Sequence, residues 1–73
     1  MRTPCPSMTN NLRVERAGLH LTQEELARRI GVSRQTINAM EAGKYVPSTV
    51  LALKLAQVFS KPVEQLFTLE AGD

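Results

Sequence analysis

The chain has one cysteine, one histidine, no tryptophan, one tyrosine and two phenylalanines in 73 residues. A single thiol, Cys5, cannot close a disulfide within the chain, so the reducing interior of a cell is the expected setting. One histidine and one cysteine cannot assemble a zinc set. No Gly-rich phosphate loop and no carboxylate pair with an evident pocket is present, so neither nucleophilic nor metal catalysis has its parts. No apolar run is long enough for a bilayer, no secretory leader is evident, and no stretch of any length alternates as a strand does. An enzyme, a resident cofactor, a bound metal and a membrane partner are therefore not expected, and neither is a small-molecule effector, for which no pocket is apparent.

What remains is a short chain, 42% hydrophobic, with room for one helical core and no second one. Residues 22 to 43, TQEELARRIGVSRQTINAMEAG, carry most of the information. Thr22 with Glu25 three residues on is a capping-box pattern, in which hydroxyl and carboxylate each satisfy a backbone donor, so a helix starts at Gln23. Leu26, Ala27 and Ile30 fall on one side at helical spacing, while Gln23, Glu24, Arg28 and Arg29 fall elsewhere. Arg28 and Arg29 read as surface charge. Gly31 stops this helix, because glycine enters the left-handed region at little cost, and apolar Val32 buries the corner. Ser33 caps a second helix at once, Ile37 and Met40 mark its buried side, and Gly43 ends it.

The exposed face of this second helix, residues 34–42, decides the function. On a wheel of about 100° per residue with Ile37 inward, Gln35, Ala39 and Ala42 point outward, Thr36 and Asn38 flank them, and Arg34 lies at the N-terminal end. Gln and Asn can pair bidentately with adenine, Arg with guanine, and Ala can approach a thymine methyl. Arg34, Gln35, Thr36 and Asn38 are therefore the expected base-reading residues. Gln23, Ser33, Lys44 and Tyr45 lie where phosphate contacts on either side are expected. Net charge is only +2, but eight of nine Lys and Arg lie within residues 1–54, against four of seven acidic residues.

Those residues carry a family resemblance. The apolar, Ala, apolar, Gly, apolar pattern of Leu26, Ala27, Ile30, Gly31 and Val32, continued by Ile37, Met40 and the loop to VPS at residue 48, resembles the helix-turn-helix of the lambda repressor and Cro-like superfamily. This is the Xre family of bacterial and archaeal regulators, and the chain is similar to its short single-domain members. The resemblance implies an all-α, compact five-helix domain that binds double-stranded DNA. It also implies an ion pair between Arg16 and Glu41, tying the first helix to the recognition helix.

The remaining helices fit that count. The first is expected from about Asn10 to Leu19, capped by Thr9 or Asn10 and burying Leu12, Ala17 and Leu19. His20 stands where relatives carry Gly or Asn as the helix stop, and Glu15 where they carry an apolar residue. A fourth helix follows Pro47 and the Ser48 cap and runs to about Phe59, with Leu51, Leu55, Val58 and Phe59 as its stripe and Val50 and Leu53 widening it. Lys61 and Pro62 then break the chain, and Val63, Leu66 and Phe67 close the core. Residues 1–8 are expected as a flexible leader, with Met8 an alternative start, 9–69 as the domain and 70–73 as a frayed tail.

A weakly basic monomer binds DNA poorly, whereas two copies reading two half-sites do much better. The expectation is a cytoplasmic, nucleoid-associated repressor acting as a homodimer on a palindromic operator, with Val63, Leu66, Phe67 and Leu69 as the candidate self-contact. The competing expectation is an antitoxin or adapter subunit working mainly through a protein partner. An antitoxin needs an extra segment to cover its toxin, and the chain has little sequence beyond the domain.

Overall fold

Thr22 does what its position predicts. In the computed structural model, which describes residues 8–69, its hydroxyl accepts from the Glu25 backbone N–H and the Glu25 carboxylate accepts from the Thr22 N–H, opening helix α2, Gln23–Ile30. These bonds hold the Glu25 carboxyl below its ordinary pKa. Ser33 caps α3, Arg34–Glu41, by accepting from Thr36 N–H, and Ser48 caps α4, Thr49–Phe59, by accepting from Leu51 N–H. Helix α1, Leu12–Gly18, precedes them and a short α5, Val63–Leu66, follows.

Four of the helices end in one device. Past each C-terminus one residue turns left-handed, and its N–H and the next donate back into the last turn, the pattern of a Schellman-type stop. Gly31 and Gly43 supply this turn after α2 and α3, as expected, at φ 78° and 76°. His20 and Ser60 supply it after α1 and α4, at φ 58° and 53°. His20 is thus a helix-end residue, and Ser60, rather than Lys61 and Pro62, terminates α4. At His20 the donations run from His20 N–H to the Ala17 carbonyl and from Leu21 N–H to that of Arg16.

One core takes side chains from all five helices: Leu12 from α1, Leu26, Ala27 and Ile30 from α2, Ile37 and Met40 from α3, Leu55 and Phe59 from α4, and Leu66 from α5. Val32 is half-buried against it, so the corner between α2 and α3 turns over an apolar tip. Lys54 extends across to the α2 carboxyl end, where its Nζ donates to the Ile30 carbonyl at 3.4 Å. Among the described residues no helix is long and apolar enough to cross a membrane.

Several expectations about the flanks need correction. Helix α1 starts two residues later than Asn10, and Ala17 and Leu19 are exposed; Arg16, at i+4 from Leu12, takes the inward side, and the buried leucine past the helix is Leu21, not Leu19. Glu15 is no misplaced core residue, because its carboxylate accepts from Lys61 Nζ at 2.7 Å across the α4–α5 turn. Val50 and Leu53 do not widen the α4 stripe. The buried side follows Leu51, Leu55 and Phe59 at i+4 steps, leaving Val50 and Leu53 more than half exposed on the other side.

The five helices are joined by a feature the sequence did not announce, a two-stranded antiparallel sheet of β1, Met8–Asn10, and β2, Phe67–Leu69. Met8, expected within the leader, pairs with Leu69. Asn10 Oδ1 accepts from Leu12 N–H and its Nδ2 donates to the Met40 carbonyl at 2.9 Å, so the strand is tied to the end of α3. Asn11, the residue before α1, caps nothing with its side chain, which donates instead to the Gln65 carbonyl, while its N–H donates to Leu66. Leu66 itself is fully buried, which removes it from the candidate self-contact. The expected leader segment 1–7 and tail 70–73 lie outside the described residues.

The expected Arg16–Glu41 pair is present. Arg16 Nε and Nη2 donate to the two Glu41 oxygens at 2.7 and 3.3 Å, and Nη1 donates to the Leu21 carbonyl. The Glu41 side chain is 1% exposed. Burial pushes its carboxyl pKa up, but hydrogen bonds from Arg16 and Gln23 and the charges of Arg16 and Arg13 outweigh this and hold it below the ordinary 4.5.

Replacing His20 or Ser60 by Gly should stabilise the fold by about 0.5–1 kcal/mol each, since a side chain in the left-handed region costs about 1–2 kcal/mol and glycine returns part of that as chain entropy. Gly43→Ala, with no atom within 4 Å of the added Cβ, should cost about 1–2 kcal/mol from backbone strain alone. Urea melts would check all three. For the ion pair, Arg16→Met should cost about 3–5 kcal/mol at neutral pH by stranding the Glu41 charge. Because the native Glu41 pKa is lowered, its contribution is complete above 4.5 and is lost as pH falls from there through the lower native value. Melts against pH should therefore show wild type losing more stability in acid than Glu41→Gln.

Candidate nucleic-acid interface

Helix α3 presents one face to the core and another to solvent. Ile37 and Met40 are buried, while Arg34, Gln35, Asn38 and Ala42 are exposed and Ala39 is half-buried. The helix ends at Glu41, with Ala42 as its C-cap. The one acidic residue on α3 turns away from solvent into the Arg16 pair, so the exposed side carries only uncharged side chains and the Arg34 charge.

The eight expected DNA-contacting residues fall into distinct environments. Arg34, Gln35 and Asn38 project from the exposed side of α3. Thr36 is half-buried, its Oγ1 lying 3.0 Å from Ser33 Oγ, which also accepts from the Thr36 N–H at 3.2 Å. The two hydroxyls therefore serve the helix start as well as the surface. Lys44 and Tyr45 are exposed just past the Gly43 stop, and the Lys44 N–H donates to the Ala39 carbonyl at 2.9 Å, which docks the loop onto α3.

Gln23 differs from the phosphate-facing side chain the sequence suggested. Its Nε2 donates to Glu41 Oε1 at 3.0 Å and to Asn38 Oδ1 at 3.4 Å, so its amide protons are spent within the protein. As the first residue of α2, its backbone N–H has no acceptor inside the helix and is the donor left for an anion. A continuous polar chain thus runs from the Leu21 carbonyl through Arg16, Glu41 and Gln23 to Asn38 at the surface. Arg13 Nε stands 3.9 Å from Glu41 Oε1 with its side chain 78% exposed, adding a second positive charge beside Glu41.

Sequence reasoning missed two contributors. Asn10, through its bond to the Met40 carbonyl, steadies the carboxyl end of α3 from 30 residues away, and Arg13 adds charge beside Glu41. An Asn-Asn pair before a helix reads as a cap, so no local signal marks Asn10 as a long-range donor. Arg13 was discoverable only once the position of Glu41 was known.

The chain is similar to known proteins in sequence and in fold. The helix-turn-helix family (HTH_3) matches residues 12–66. The chain is 52% identical over 63 residues to an HTH-type transcriptional regulator of Methanocaldococcus jannaschii, covering 86% of this chain and 96% of that one. It is 46% identical to the HTH-type transcriptional regulator YgzD of Bacillus subtilis, with the same coverage of both. Among solved structures, a candidate DNA-binding protein from Bacteroides fragilis superposes with a TM-score of 0.74 at 30% identity, over 84% of this chain and 98% of that one. The SOS-response transcriptional repressor LexA from Eubacterium rectale gives the same TM-score at 32% identity, over 86% of this chain and 67% of that one. With the family match spanning residues 12–66 and these relatives covered almost end to end, the protein belongs to the lambda repressor and Cro-like helix-turn-helix family, the Xre family of DNA-binding transcriptional regulators.

Proposed function

We propose that the protein is a repressor that binds a palindromic operator as a homodimer in the cytoplasm, at the nucleoid, with α3 entering the major groove by its N-terminal end. The observation that carries this reading is the split of α3: Ile37 and Met40 lock one side into the core while Arg34, Gln35 and Asn38 stand exposed on the other. A helix held this way presents polar groups at fixed positions, which base readout requires. Arg34, Gln35 and Asn38 read base edges and Thr36 contributes at the groove margin. Lys44, Tyr45, Ser33 and the Gln23 backbone N–H hold the phosphates and set the register.

Binding as a pair answers the modest net charge of +2. Each phosphate contact releases counterions, so a two-fold assembly doubles a term that one copy supplies only weakly. The self-contact uses the C-terminal region, where Leu69 is 63% exposed and Val63 and Phe67 are half-buried. Repression follows from occlusion of polymerase on the bound operator.

Selection of bound duplexes from a random pool tests the proposal as a whole. It should return an inverted repeat with half-site centres about 10–10.5 bp apart or a multiple of that; no enriched sequence would overturn it. Gln35→Ala should relax preference at one position by about 1–3 kcal/mol. Lys44→Ala should weaken every sequence alike and reduce the salt slope by about 1. Competition binding separates the two, and equal loss on operator and random DNA for Gln35→Ala would refute base reading by that residue. Sedimentation velocity should show a dimer, with Leu69→Glu lowering the dimer fraction; monomer alone, with and without operator, contradicts the assembly.

A further inference from the structure

Gln23 and Asn38 meet at the edge of the exposed α3 face, although they lie on different helices and 15 residues apart. The direction of their hydrogen bond follows from Glu41. That carboxylate sits against the Arg16 guanidinium at 2.7 and 3.3 Å, where it is ionised, and an ionised carboxylate can only accept. The end of Gln23 that stands 3.0 Å from Glu41 Oε1 must therefore be the NH2 group. The same nitrogen stands 3.4 Å from Asn38, so the end of Asn38 turned toward it must be the carbonyl oxygen. Donor and acceptor chemistry thus fixes both amide orientations. Gln23 takes one lone pair of the Asn38 oxygen and keeps that oxygen facing α2, so the end of the amide turned away from α2 is its NH2.

We propose that Gln23 is a positioning residue that holds Asn38 as a hydrogen-bond donor toward DNA, so that Asn38 reads guanine and not adenine. The inference rests on the proposed placement of α3 in the major groove. Free asparagine recognises adenine bidentately, donating to N7 and accepting from N6. The accepting oxygen here is turned to Gln23. Guanine offers two acceptors, N7 and O6, to a donating amide; thymine and adenine offer one each, and cytosine presents a donor of its own. The preference is thus written on α2 and in the core as much as on α3, since Glu41 fixes Gln23 and Gln23 fixes Asn38.

Site selection and competition binding on wild type, Asn38→Ala, Gln23→Met and Asn38→Asp, each with a thermal melt, test this. Wild type should select guanine at one position of each half-site, and Asn38→Ala should flatten that position alone. Gln23→Met keeps the side-chain bulk but has no donor; it should let adenine compete at the same position, cutting the guanine-over-adenine preference by on the order of tenfold, with the rest of the site unchanged. Asn38→Asp leaves Gln23 untouched and turns only acceptors outward, so preference should move to cytosine. Adenine selected by wild type, or a Gln23→Met site identical to wild type while Asn38→Ala flattens one position, would overturn the positioning role and leave base reading by Asn38 intact. If Asn38→Ala altered no position, base reading by Asn38 would itself fail.

Discussion

One buried carboxylate sets how α3 sits against α1 and α2. Glu41 ends α3, accepts from Arg16 on α1 and from Gln23 on α2, and is 1% exposed. Apolar packing of Ile37 and Met40 holds α3 against the core but permits small rotations, since methyl and thioether contacts are not directional. Hydrogen bonds from two other helices to one charged group are directional, and they leave α3 few alternatives. A pair of this kind adds little net stability, because desolvation offsets attraction. Its value here is orientation, and the link to Asn38 carries that orientation to the surface.

Much of the domain was legible because its devices are local. Thr22 with Glu25, Gly31, Ser33, Gly43 and Ser48 act within a few residues of themselves, so residue type at a position is enough to identify each. The buried positions of α2 and α3 follow helical spacing just as plainly. What escaped was decided by partners distant in sequence. Asn10 and Asn11 bond residues 30 and 54 positions away, Glu15 pairs with Lys61, and Lys54 caps the end of α2. Strands of three residues are too short to alternate detectably, so the β1–β2 pairing gave no signal. Helix α4 failed differently: it is so rich in apolar residues that spacing could not tell which of Val50, Leu51 and Leu53 faces inward.

The candidate site was legible as a set of residues but not as a set of roles. Arg34, Gln35 and Asn38 are exposed where the wheel put them, because α3 is regular and its inner residues are unambiguous. Gln23 was placed correctly at the start of α2, yet its side chain turns toward Glu41 instead of outward. Only knowledge of the buried charge reveals that preference, since a glutamine amide gains more from an ionised acceptor than from water. Leu66 shows the opposite error, an apolar residue credited to the surface that the core had already claimed.

In the proposed complex the outer side of α3, held rigid by what lies behind it, meets base pairs with its polar groups. Side-chain NMR on the protein titrated with its selected duplex tests this most directly. The account predicts that the side-chain NH2 signals of Gln35 and Asn38 and the Arg34 Nε signal shift and become slow to exchange, while the Ile37 and Met40 methyls keep their positions. Shifts confined to α4 and β2, with the α3 side chains unmoved, would contradict it.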